Sequence, residues 1–152
     1  MFSDILGIPA HPLYVHAAVV FVPLLALFAV VYAVVPRWRA KTGWLTAGLA
    51  VLAPLAALVA KLSGDDLLAA RYAAGPPANV LQHRSYGTTT FWLALALGVV
   101  TGVLLWAIGG RLPGPAWLRT ALQAVVLILA VVTAYYVVRT GDSGAESVWG
   151  RT

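Results

Sequence analysis

The sequence of 152 residues contains no cysteine. That excludes disulfides, thiolate metal sites, iron–sulfur ligation by this chain and cysteine nucleophiles. Charge is scarce as well: 10% of the residues are Asp, Glu, Lys or Arg, against roughly 25% in ordinary soluble domains. Acidic residues are the scarcest, five against ten basic ones, and none falls inside a long apolar run. What remains is 61% hydrophobic, which suits lipid better than water and rules out a disordered chain. The length suits one domain. The net charge of +5 is not a nucleic-acid signal, because the basic residues flank apolar runs, so no nucleic-acid partner is expected.

About 20 mostly apolar residues span a bilayer core, and four runs reach that length: 13–35, 44–62, 86–108 and 116–138. Each is apolar on all faces, so an all-α, four-helix integral membrane bundle forming a single domain over 1–152 is predicted. The first run lacks a basic leader, is too long for a cleavable signal and is followed by three more. Pro36 to Gly43 is a short basic connector, Gly109 to Pro115 a Gly/Pro turn, and Ser63 to Arg84 a longer link around Gly75-Pro76-Pro77. The tight connectors carry Arg37, Arg39, Lys41 and Arg111, with Arg119 just behind. All five acids (Asp4, Asp65, Asp66, Asp142 and Glu146) lie on the other side. Basic density in short connectors therefore places both termini outside a bacterial cytoplasmic membrane. Trp38, Trp44, Trp106 and Trp117 fall near the inner interface, where indole anchors belong.

The two hairpins resemble each other. His11-Pro-Leu-Tyr14 opens one and His83-Arg-Ser-Tyr86 the other. Trp44 and Trp117 begin the returning helices, which end at Ser63-Gly-Asp65 and Thr140-Gly-Asp142. Shared order and spacing suggest an internal duplication about an axis along the membrane normal. The same topology gathers His11, His16, Lys61, Asp65, Asp66, His83, Arg84, Tyr135, Tyr136 and Asp142 at the outer end, where ionisable groups are expected to face a bundle interior. Pro12 suits a first helical turn, which makes His11 a capping or pre-helix residue and puts His16 one turn inside. Along the third helix, His83 shares a face with Gly87 and Ala94. Ala94, Gly98 and Gly102 form a stripe of small residues suited to helix packing or to a homo-oligomer contact.

His11-Pro12-x-x-Val15-His16, the Ser-Gly-Asp after the second helix, His83 before the third, and Thr140 to Gly150 with its closing Val-Trp-Gly together resemble the bacterial membrane family of domain of unknown function 2231. The resemblance covers nearly the whole chain. Ala17 and Ala18 stand where relatives often carry an aromatic residue and proline. Fusion of some relatives to Rieske iron–sulfur domains implies redox company, and hence a Rieske-type or other redox partner.

Three chemistries fit these residues. The first is a b-type haem clamped by histidines of facing helices, for electron transfer. His16 and His83 match in depth, while strict symmetry selects His11 and His83. Gly87 and Ala94 would make room for the ring, and Arg84, Lys61 or Arg71 would hold propionates. The second is a divalent metal ion held by His11, His16, His83, Asp65 and Asp142 or a subset of them. The third is a structural subunit in which Lys61 pairs with Asp65 or Asp66 and the histidines cap helices. All three describe a redox carrier or accessory subunit rather than a stand-alone enzyme. Ser85, Ser143 and Ser147 lack a readable His–carboxylate arrangement for hydrolysis, and Gly141 to Gly144 is no phosphate loop.

Overall fold

The computed structural model describes residues 4–5, 8–110 and 115–150. Arg111 and the rest of its turn, together with Arg151, lie outside the described residues. Four helices carry the fold: α1 (Ala10–Val34), α2 (Arg39–Arg71), α3 (Ala78–Ile108) and α4 (Ala116–Trp149). Asp4–Ile5 pairs antiparallel with Ile8–Pro9 just before α1, and a 3-10 turn, Pro36–Trp38, joins α1 to α2. All four helices are long and apolar enough to cross a membrane. Both α1 and α3 pack on α2 and α4 and face each other across the bundle diagonal.

Apolar content marks the spans but not the helix ends. The helices run beyond the predicted apolar limits at the end carrying the histidines: α2 continues to Arg71, α3 begins at Ala78 and α4 reaches Trp149. The expected link from Ser63 to Arg84 shrinks to the turn at 72–77, where Gly75 adopts φ +117°. At 33 residues, α2 is about 50 Å long, well beyond a hydrocarbon core of about 30 Å. Polar residues do not end these helices, and several of them find partners across the bundle or along their own helix. His11 is likewise inside α1, not before it; Pro12 sits in the first turn, where its missing N–H costs no helical bond.

The core is built from small residues, with Ala29, Ala53, Ala57 and Ala94 almost fully buried beside Leu25, Leu97 and Leu104. Such residues let helices approach closely, which is how packing in lipid gains dispersion energy. The tightest approach joins α2 and α3. Pro54 has no N–H, so the Ala50 carbonyl lacks its helical donor, and α3 meets this point through Gly98. A Cβ there would lie 2.5 Å from Ala50 O and 3.0 Å from Pro54 Cγ. Ala94 and Gly98 of the small-residue stripe are thus spent inside the bundle, whereas Gly102 is exposed.

At the opposite end, Trp38, Trp44, Trp106 and Trp117 are all exposed, as an interfacial belt would be. Pro36 again removes a helical donor, and Arg39 replaces it. Its Nε donates to Tyr32 O and its Nη2 to Ala33 O, both at 2.9 Å. Gln123 of α4 donates to the same Ala33 O at 2.7 Å. The last carbonyls of α1 are therefore capped by side chains from α2 and α4.

Candidate functional site

At the histidine end the four helices enclose a cavity of about 720 Å³. This volume lies within the usual range for small-molecule sites. The bottom of the site is made by two matching contacts. In the first hairpin, Ser63 donates its hydroxyl proton to Ala60 O at 2.9 Å, one turn back along α2. The Ser63 oxygen can then only accept from His11, whose Nδ1 lies 3.0 Å away. In the second hairpin, Ser143 donates to Thr140 O at 3.1 Å. His83 Nδ1 lies 3.1 Å from the same carbonyl and 3.3 Å from Ser143 Oγ.

These partners fix the tautomer. A carbonyl accepts only, and each serine has already given its proton away, so both neutral imidazoles carry hydrogen on Nδ1. The lone pair of each ring is on Nε2. Each ring also rests on a glycine. A Cβ at Gly64 would stand 3.0 Å from His11 Cε1, and one at Gly144 would stand 3.0 Å from His83 Cε1. The two rings meet edge-on, with centroids 6.4 Å apart and planes at 74°.

Asp65 is the hub of the charge at this site. Its carboxylate accepts from Lys61 Nζ at 2.7 Å along α2 and from Arg84 Nε at 2.7 Å across to α3. Both cations line the cavity, together with Arg71. The expected pairing of Lys61 thus falls on Asp65 and is extended by Arg84. Below the histidines, the Thr90 and Thr140 hydroxyls lie 2.8 Å apart and join α3 to α4. Beside them, Arg139 donates to the Tyr86 hydroxyl at 3.1 Å and lies over its ring.

The structure brings some of the sequence candidates together and separates others. His11, His16, His83, Lys61, Asp65, Arg84 and Gly87 all line the cavity. His16, however, is exposed and turns its Nδ1 to the Pro12 carbonyl of its own helix. Asp142 is exposed and does not line the cavity, and Ala94 is buried in the core below it. Among the described residues, no group of three or more His, Asp or Glu side chains is arranged to hold a metal ion. Sequence order matched Ser63-Gly-Asp65 with Thr140-Gly-Asp142, whereas the contacts match Ser63-Gly64 with Ser143-Gly144. Asp142 is therefore not the counterpart of Asp65. Both serines and Gly144 were missed as imidazole partners; the recurring Ser-Gly on the two returning helices was the signal available.

No curated protein and no solved structure matches this chain. The model of the DUF2231 family, described as a predicted membrane protein, matches residues 7–152. With four helices fit to cross a bilayer and a match over nearly its full length, the chain belongs to the DUF2231 family of membrane proteins.

Proposed function

We propose that the histidine end is a b-type haem site for electron transfer, with His11 and His83 as the axial pair. The observation that supports this reading is the pair of Nδ1–H tautomers on the diagonal helices α1 and α3, with the rings close together and both Nε2 lone pairs unspent. Histidines that ligate a metal usually donate the other ring N–H to a carbonyl or similar acceptor, which fixes the ring and raises its basicity. The separation is also suitable. The ring centroids lie 6.4 Å apart, so His11 and His83 are near enough that they would hold one haem iron between them. A haem bound there would supply one-electron exchange. Ser63 and Ser143 orient the rings, Gly64 and Gly144 let them lie close to the returning helices, and apolar side chains such as Val15, Val19 and Leu68 offer a surface for the ring.

A site of this kind at one end of the bundle exchanges electrons with a partner on that side, such as a Rieske-type protein. The basic, Trp-rich opposite end supports an orientation with both termini on the extracytoplasmic face of the inner membrane. The matching His–Ser–Gly contacts support an internal duplication. The metal reading is less well supported: Asp65 is engaged by two cations, and bis-imidazole ligation of haem needs no carboxylate.

Reduced-minus-oxidised spectroscopy of the purified protein, with elemental analysis, tests the proposal. It predicts stoichiometric iron and a sharp reduced α-band, lost in His11→Ala and in His83→Ala but retained in His16→Ala. A protein that carries no iron after expression with haem supplied, or a band unchanged in both axial variants, would overturn it.

A further inference from the structure

The two hairpins contribute to the cavity at matching positions, but their charges do not match. Setting His11 against His83 and Ser63 against Ser143 brings Gly64 onto Gly144 and Ala60 onto Thr140, and all of these except the serines line the cavity. The same superposition sets Lys61 against Gly141, Asp65 against Ala145, and Arg84 against Pro12, and these six positions line it too. Among the described residues, the edge between α2 and α3 therefore carries two cations and one carboxylate, and the matching positions between α4 and α1 carry no charge. A site that is two-fold in its imidazoles is one-sided in its charge.

We propose that the cavity takes an amphiphile whose carboxylates all lie on one edge. Lys61 and Arg84 hold that edge and select one of two otherwise equivalent orientations, and Asp65 is the internal carboxylate that competes for them. Three observations carry this inference. Asp65 bonds both cations at 2.7 Å, each through a different oxygen, so it occupies the position a ligand carboxylate would take. The triad keeps one net positive charge, and Arg71 adds another on the same lining. Arg84 is half exposed at 51%, so its guanidinium can turn from Asp65 to an incoming acid with little desolvation. The matching positions on the opposite edge are Pro12, Gly141 and Ala145, which offer a carboxylate no cation, and an unpaired carboxylate is costly to bury.

This inference rests on the haem reading for the identity of the ligand, since a haem carries both propionates on one edge, but its test does not. The probes are metal-free protoporphyrin and its dimethyl ester, which have no iron for the histidines to ligate, titrated by fluorescence into the purified full-length protein in detergent. The free acid should bind about tenfold or more tightly than the ester, the size expected for a charge-assisted contact. Arg84→Gln and Lys61→Gln should bring the acid down towards the ester and leave the ester unchanged. Asp65→Asn removes the competitor and should tighten the acid severalfold without affecting the ester. Equal affinities for acid and ester, failure of both to bind, or charge variants that move both probes alike would each overturn the proposal. A preference for the acid in a protein with no histidine-dependent haem spectrum would overturn the axial-ligand reading and retain this one.

Discussion

The two ends of the bundle spend their polar side chains differently. At the tryptophan end, Arg39 and Gln123 are consumed by the Tyr32 and Ala33 carbonyls at the end of α1, the first of which Pro36 leaves without its helical donor. Those bonds complete a helix terminus and leave nothing over. At the histidine end, the helices need no such repair, because α2, α3 and α4 continue through it unbroken. Here side chains bond to side chains and to carbonyls already used by the helix, and they surround a cavity of about 720 Å³. The comparison separates a polar residue that serves the fold from one held ready for a ligand. The first kind fills an otherwise unmet backbone group, and the second keeps a donor or acceptor in reserve, as Nε2 of His11 and of His83 does.

Between the two ends, the closest helix contact sets the largest expected effect. Gly98→Leu would drive a side chain into the Ala50 carbonyl, where even a Cβ would stand at 2.5 Å. Overpacking of this kind costs about 1–3 kcal/mol or more. Thermal unfolding in detergent should show a large drop in Tm or no folded protein at all. If the variant is as stable as the parent, α2 and α3 do not meet as described.

Arg39→Ala comes next and tests the fold-serving end. It strands the Tyr32 carbonyl, leaves Ala33 O to Gln123 alone, and should cost about 1–3 kcal/mol while leaving any haem spectrum unchanged. A spectral change there would break the division between the ends.

Gly64→Ala and Gly144→Ala should do the opposite. The added methyl meets only the movable rim of an imidazole at 3.0 Å, so stability should change by less than about 1 kcal/mol. The ring must nevertheless shift, and the spectrum or the binding of haem should change in both variants alike. A change in only one of them would show that the two hairpins are not equivalent at the site.

Ser63→Ala should likewise cost the fold no more than about 1 kcal/mol, although it removes the Ser63 bonds to His11 and to Ala60 O. Its mark should be a shift in the reduction potential of bound haem, because the Nδ1 partner tunes the basicity of the ligand. An unchanged potential would leave Ser63 a structural residue only.

Much of this architecture is legible in the sequence, because long apolar runs have one stable solution in lipid. The four spans, the tryptophan belt and the gathering of His11, His83, Lys61 and Asp65 at one end follow from runs, connectors and direction alone. The helix ends do not. Hydropathy falls at Ser63 and at Gln82-His83-Arg84, yet the helices continue, with Ser63, His83 and Arg84 partnered from neighbouring helices and Gln82 along its own. The choice among the histidines was also hidden. Depth favoured His16, but His11 and His16 lie on different faces of α1, and only the packed bundle shows that His11 is partly buried while His16 is exposed. Asp142 misled for a related reason: a Gly-Asp pair recurred in sequence about one helical turn away from the true match at Ser143-Gly144.

The most direct measurement is electron paramagnetic resonance of the oxidised, haem-loaded protein. Two axial imidazoles give a low-spin ferric signal, and the account predicts that signal in the parent and in His16→Ala, with conversion to high spin in His11→Ala and in His83→Ala. A low-spin signal that survives loss of either His11 or His83, or that disappears with His16, would contradict the pairing on which the account rests.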